Sequence, residues 1–229
     1  VAPPYIQRTF LKYNKGNGFV CCHIDALHAM PPVADLFTDR IVTGLMEKTG
    51  CAGIIGTVSR KKADLNRSPD GENNAAIREY REALQEILEH VGVLDPERRF
   101  VTKPYLHLAM HGMKDLHHGP YAIEIGTRNG KSCSAEIRAW LREMLTVQSR
   151  SLLPDVKIFF DKKFKGHKSI RYHRSGDGHD YPGYGQHFHT FQVEISRTLR
   201  EKYLSDIIEL FSHIIVQFQL TFANSRDEK

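Results

Sequence analysis

Histidine is the side chain most often found on a metal and the one that changes charge near neutral pH. This chain of 229 residues carries 13 of them, nine between His107 and His189. The stretch FVCCHIDALH sets His23, Asp25 and His28 within six residues. The run YLHLAMHG ends at His111, with His107, Ala109 and His111 on one side of an extended chain. A catalytic zinc site uses about three protein ligands and an open position for water. His23 and His111 are candidates for two of them, and the third would come from His28, Asp25 or Asp39. The same histidines could instead cap backbone carbonyls or face solvent. His117, His118, His167, His173, His179, His187 and His189 sit mostly in loop-like sequence and read as surroundings.

Two further groups have chemistry to offer. Arg60, Asp64, Asn66 and Arg67 fall in one polar stretch, SRKKADLNRSPDG. An arginine fork suits bidentate binding of a carboxylate and keeps its charge at any working pH, so Arg60, Asn66 and Arg67 form a candidate anion clamp; a solvated charge run is the plainer alternative. In FHTFQVEIS, Gln192 and Glu194 share a face. A glutamate inside an apolar strand is costly unless paired or functional. Glu194 is therefore either a general base beside an activated water or the partner of Arg197 or Arg200.

A competing motif is YAIEI-GTRNGKS, which ends in Gly130-Lys131-Ser132 as a phosphate loop does. The phosphate loop needs GxxxxGK[ST] so that successive N–H groups wrap the phosphate. Here Gly126 to Gly130 is one residue short, and Ile125 stands where glycine is required. A nucleotide-binding protein using residues 126–132, with Asp161 near magnesium, is the second reading.

These residues must be positioned by elements, and the hydrophobic pattern supplies them. Strands are predicted at Phe19–Ile24, Gly53–Val58, Tyr105–Met110, Tyr121–Ile125, Val156–Phe160 and Phe188–Ile195. Helices are predicted at Asp35–Lys48, Asn74–His90, Ser134–Gln148 and Leu204–Phe222. Residues 161–186 read as a long loop, of a length that is often functional. Alternating strands and helices imply an α/β domain with a parallel or mixed sheet covered on both faces. In such sheets the site lies at the carboxyl ends of strands, the filter that selects His23, His111 and Arg60. No linker or repeat divides residues 1–229, which are expected to form one domain.

The formal charge of +5 is mild and spread along the chain. It suits an anionic small molecule; neither nucleic acid nor membrane is expected as a partner. No run approaches the ~18 apolar residues of a membrane span. Cys21, Cys22, Cys51 and Cys133 show no CxxC spacing and read as reduced thiols. VAPPYIQRTF has no signal-peptide pattern. A cytoplasmic protein is expected.

In order along the chain, FVCCH, TDRIVTGL from Thr38, SRKKADLNRSP, LAMHG, AIEIGTRNGKSCS and FQVEISRTLR resemble the N-formylglutamate amidohydrolase-like family, which is related in fold to zinc carboxypeptidases and aspartoacylases. The resemblance runs from about Phe19 to Arg200. It implies a three-layer α/β/α fold with a central mixed sheet and a zinc-dependent hydrolase of an amide in a carboxylate-bearing substrate, such as an N-acyl amino acid or γ-glutamyl compound. It implies His23 and His111 as metal ligands, Asp39 at an acidic position with His28 as a local alternative, Arg60, Asn66 and Arg67 as the substrate-binding group, and Glu194 as the catalytic glutamate. Arg60 would polarise the scissile carbonyl or assist the clamp. Two departures stand out. Ile24-Asp25 follows His23 in place of Ser-Gly, and Ala109 replaces the acid of the family's Asp-x-His motif. The second motivates a third reading, a non-catalytic binding member of the fold.

Overall fold

Runs that alternate apolar and polar residues make a sheet with two different faces, and His23, His107, His111, Gln192 and Glu194 share one of them. The computed structural model describes residues 4–224. The elements are β1 (Ile6–Gln7), β2 (Leu11–Asn14), β3 (Cys22–Ala26), α1 (Thr38–Thr49), β4 (Ala52–Gly56), α2 (Asn74–Val91), β5 (Tyr105–Met113), β6 (Ala122–Gly126), α3 (Ala135–Leu152), β7 (Lys157–Phe160), the short α4 (Tyr172–Ser175), β8 (Phe188–Ser196), α5 (Arg197–Lys202) and α6 (Leu204–Phe218). The strands form one sheet in the order β1-β2-β4-β3-β5-β8-β6-β7. Neighbours among β4, β3, β5 and β8 are parallel, while β2 runs antiparallel to β4 and β6 to β8. The expected three-layer α/β/α fold with a mixed sheet is what the chain adopts.

One face is mainly apolar. Ile24, Leu108, Met110, Phe191 and Val193 pack with Ile41 and Leu45 of α1, Leu141 of α3 and Phe211 and Ile214 of α6. The other face is apolar only under α2, where Tyr80, Leu84 and Leu88 meet Leu11, Tyr13, Tyr105 and Phe188. Strand alternation then dictates the rest. His23 pairs with His107, Asp25 with Ala109, His107 with Thr190, Ala109 with Gln192, and His111 with Glu194. A polar row thus runs along the α2 side of three adjacent parallel strands.

Several boundaries differ from expectation. The first predicted strand begins at Cys22 and reaches Ala26, and Phe19 is 80% exposed. The last predicted helix stops at Phe218 and continues as a π-helical turn, Gln219–Ala223. The 161–186 segment contains a 3₁₀ turn at Lys168–Arg171 followed by α4. The β1–β2 pair was not predicted, because two- and four-residue strands carry too little periodicity.

Burial sets an acid limit on this fold. His23 and His189 are 0% and 2% exposed. Burial lowers the imidazole pKa of His23 well below its ordinary value, helped by His107. Burial and the charge of Arg174 bring that of His189 down to about 3. Both side chains protonate near pH 6.5 once the chain unfolds. The unfolded state therefore binds more protons below that pH, and stability is lost as pH falls from about 6.5. Urea denaturation at stepped pH is expected to show this loss. His189→Gln should reduce the pH slope by about one proton between pH 6 and 4; an unchanged slope would contradict the assignment.

Candidate active site

Beyond the carboxyl ends of β3, β4 and β5 lies an open cleft of about 380 Å³. His28 arrives on the loop after β3, Asp35 on the same loop before α1, Arg60 and Asn66 on the loop after β4, His111 near the end of β5 and Glu194 on β8. His111 Nδ1 is 3.2 Å from Asp35 Oδ2, and His28 Nδ1 is 3.6 Å from the same oxygen. The two imidazoles meet edge to face at 4.9 Å. His28, Asp35 and His111 together could hold a metal ion.

The groups behind these three are equally ordered. His28 Nε2 lies 2.7 Å from Asp64 Oδ1. Arg60 Nη2 donates to Asp35 Oδ1 at 2.6 Å, and Asn66 Nδ2 is 3.3 Å from His111 Nε2. Burial pushes the Asp35 carboxyl up, but the hydrogen bond from His111, the nearby His28 imidazole and the charges of His111 and Arg60 outweigh it and hold the group far below the ordinary carboxylate range. Asp64 is opposed by burial in the same way and brought down to about 2 by His28 and Arg67. Each imidazole thus has one nitrogen toward Asp35 and the other fixed by a polar partner, the arrangement that orients metal-binding histidines. His28 Nδ1 has no hydrogen-bond partner among the described residues. Two imidazoles and a carboxylate form a donor set suited to zinc with an open position.

Glu194 is 7% exposed, and its Oε1 accepts from Gln192 Nε2 at 2.9 Å. Burial raises its carboxyl above the ordinary value, with the charge of His111 pulling it back. Among the described residues it is not paired with an arginine. The buried Arg200 instead donates to the carbonyls of Ile195 at 3.0 Å, Met113 at 3.3 Å and Leu36. Those bonds tie the 33–36 loop, and Asp35 with it, to β5 and β8. Gly112 makes room for them, because a Cβ there would come within 2.6–2.7 Å of the Arg200 guanidinium nitrogens. Gly112→Ala is therefore expected to destabilise the protein by about 1–3 kcal/mol, measured by urea denaturation, and to loosen the loop that carries Asp35.

The remaining sequence candidates fall as follows. His23 is not in the cleft. It stacks on His107 at 4.1 Å and forms, with Asp25 and His107, a second, buried group on the same sheet face that could also hold a metal ion. The reason is register: His23 pairs with Ala52 and His107 in the middle of the sheet, and β3 runs on to Ala26 before the loop begins. Asp39 lies in the first turn of α1, exposed, while Asp35 four residues earlier points into the cleft. Asn66 is buried against His111, which leaves Arg67, exposed at the rim with its Nε 3.7 Å from Asp64 Oδ2, as the cation of the expected clamp that faces solvent. Arg67 Nη1 donates to its neighbour's carbonyl, Asn66 O, at 2.9 Å. The carboxylate expected before His111 is absent at Ala109; Asp35 and Asn66 flank the imidazole in its place.

Sequence reasoning missed Asp35 and Glu124 and gave Asp64, named in its polar stretch, no role. Glu124 is fully buried, and its Oε1 accepts three backbone N–H groups, from Lys162, Lys163 and Phe164 at 2.7–2.9 Å. It anchors the start of the 163–167 stretch that forms one wall of the cleft. The available signal was a glutamate inside the apolar run YAIEI, the same signal that singled out Glu194.

The 126–132 loop does not form a phosphate cradle. Asp161 Oδ1 accepts from the N–H groups of Thr127 at 2.7 Å and Asn129 at 3.3 Å, and Asp161 Oδ2 accepts from Thr127 Oγ1 and from Arg138 Nη2 at 2.8 Å. A carboxylate already occupies the N–H groups a phosphate would need. β6 also runs antiparallel to β8, so its carboxyl end points away from those of β3, β5 and β8. The nucleotide-binding reading is not favoured.

No family model and no curated protein matches the sequence. Solved structures do match its fold. N-formylglutamate amidohydrolase from Ralstonia eutropha JMP134 is similar at a TM-score of 0.66 and 15% identity, over 92% of this chain and 98% of that one. A gene product of Agrobacterium tumefaciens is similar at 0.56 and 13%, over 92% and 94%. A bacteriophage poly-gamma-glutamate hydrolase is similar at 0.50 and 12%, over 95% and 91%. The fold is thus shared with N-formylglutamate amidohydrolase, as the sequence motifs imply. Among the described residues no helix is long and apolar enough to cross a membrane.

Proposed function

We propose that this cleft is the active site of a zinc-dependent amidohydrolase acting on a carboxylate-bearing substrate such as an N-acyl amino acid or a γ-glutamyl compound. The observation that carries the proposal is the convergence of His28 Nδ1, His111 Nδ1 and Asp35 Oδ2 in an open cleft that also holds a buried glutamate. Those three atoms would hold the metal. Asp64 fixes His28 from behind. A metal on His111 Nδ1 leaves Nε2–H to donate, and the Asn66 amide, turned so that Oδ1 faces it, accepts.

Bound zinc would polarise the scissile carbonyl and make water acidic enough to attack near neutral pH. The chain's own residues do the rest. Glu194 takes a proton from the attacking water on its carboxylate and returns it to the leaving nitrogen. Gln192 holds Glu194 Oε1 in place. Arg60 keeps Asp35 oriented and presents the remainder of its guanidinium to the substrate carbonyl. Arg67 pairs with the substrate carboxylate. The 163–167 stretch, held by Glu124, limits water on the far side. Proteins of this fold are named for N-formylglutamate and poly-gamma-glutamate, which supports an amide substrate bearing a carboxylate. The four cysteines are all buried and unpaired, in keeping with a reducing, cytoplasmic setting.

The test is metal content on untagged protein, together with hydrolysis of a panel of N-acyl amino acids and γ-glutamyl compounds. About one equivalent of zinc is expected, with turnover that a chelator removes and zinc restores. Absence of metal across preparations, or full activity in chelator, would overturn the proposal.

A further inference from the structure

Behind Asn66 and Arg67 the cleft adjoins a second, narrower cavity of about 40 Å³. Its walls are mainly apolar and aromatic, among them Leu65, Ile77, Ile170 and Tyr172. Its inner end is different. Asp25 is fully buried there, with Oδ2 accepting from Tyr80 Oη at 2.8 Å and lying 2.8 Å from His107 Nε2. Asp25 Oδ1 has no hydrogen-bond partner among the described residues. A buried acceptor left without a donor is costly, and a ligand that brings a donor relieves the cost.

Arg81 lines the cavity and is held in place: its Nη2 donates to Pro182 O at 2.6 Å, and its guanidinium lies over the Tyr184 ring at 4.4 Å and the Tyr181 ring at 5.3 Å. Asp177, also lining the cavity, adds a second carboxylate. Arg67 stands at the mouth, where the substrate carboxylate binds in the reading above. Ala109 forms part of the cavity wall; the short side chain that departs from the Asp-x-His pattern is what leaves that space open. A volume of 40 Å³ takes about three water-sized groups, the size of a terminal amide.

We infer that this cavity receives the substrate's side chain and selects an uncharged one ending in a hydrogen-bond donor, as glutamine does, over the isosteric carboxylate of glutamate. The donor would approach the Asp25 carboxylate, whereas a second carboxylate would lose its water in a mainly apolar cavity and face Asp25 and Asp177. The inference rests on the hydrolase reading for its orientation. It also sets the chain apart from the glutamate compounds for which proteins of like fold are named.

The experiment compares N-formylglutamine with N-formylglutamate on the zinc-loaded protein. The glutamine compound is expected to have at least a tenfold higher kcat/KM. Asp25→Asn should bring the two within about threefold, and Ile77→Phe, which narrows the cavity without touching the polar group, should lower kcat/KM for glutamine more than for N-formylglycine. Equal or better use of N-formylglutamate by the unaltered protein overturns the inference while leaving the hydrolase reading standing. If neither compound is turned over, the hydrolase reading fails, and calorimetric binding of the two compounds decides the cavity separately. Tenfold tighter glutamine binding supports it; equal binding, or none, overturns it.

Discussion

Glu194→Gln is expected to lower kcat by about 10²–10⁴-fold, the usual contribution of a positioned general base, while leaving metal content and thermal stability near those of the unaltered protein. The substitution keeps the shape of the side chain and removes only its capacity to take a proton. Glu194 sits opposite His111 in the β5–β8 register, so it faces the cleft by strand geometry rather than by loop conformation. Its one close side-chain partner is Gln192, and an amide at 194 can still bond to an amide at 192. Burial is the largest influence on the carboxyl and lifts its pKa. Activity should rise as pH rises through the acid limb of kcat/KM, where Glu194 loses its proton, and that limb should disappear in the variant. Measurement of kcat, zinc content and melting temperature on the same preparations separates the outcomes. Loss of zinc or of the fold along with activity would make Glu194 a structural residue; unchanged kcat would remove it from the reaction. A non-catalytic binding protein of this fold predicts no turnover in either form.

How far the site could be read from sequence depends on whether strand periodicity or loop conformation places each residue. Glu194, Gln192 and His111 lie on strands, where a period of two fixes the face, and all three reach the cleft. His28 and Asp35 lie on one loop between β3 and α1, where spacing carries no direction. Sequence offered His28, Asp25 and Asp39 as alternatives and did not consider Asp35 at all. Asp35 is set by Arg200, 165 residues later, which bonds the carbonyl of Leu36 and the ends of β5 and β8. Nothing local announces a contact of that range.

His23 shows the converse problem. Its strand is legible, but three more residues of pairing with β4 move the carboxyl end from His23 to Ala26. A shift of that size turns a strand-end candidate into the middle of a buried polar group. The DLNR stretch was legible as a functional cluster and less so in its division of labour. Asp64, passed over as one acid in a polar loop, supports His28, and Asn66 turns inward to His111. Only Arg67 remains exposed for the clamp that composition suggested.

The metal assignment makes the sharpest distinction among these residues. His28→Ala and His111→Ala are each expected to weaken zinc binding by more than about 100-fold, since loss of a supporting partner alone typically costs 10–100-fold. Asp64→Asn should fall in that lower range, because it removes the carboxylate behind His28 Nε2 and spares the ligand atom. Asp39→Asn should leave affinity unchanged, being exposed on α1 and outside the cluster. Competition with a chromophoric chelator at fixed pH measures all four, and circular dichroism checks that each variant folds. The order matters more than any single value. His28 far below Asp64, with Asp39 at the level of the unaltered protein, is the signature of a centre built on His28, Asp35 and His111. Strong loss from Asp39→Asn with little from His28→Ala would place the ligands where the bare spacing of the chain first suggested. Because His28 and Asp35 sit on one loop and His111 on β5, metal should also fasten that loop to the sheet. Zinc should accordingly raise the melting temperature of the unaltered protein, and the rise should vanish in His28→Ala and His111→Ala but persist in Asp39→Asn.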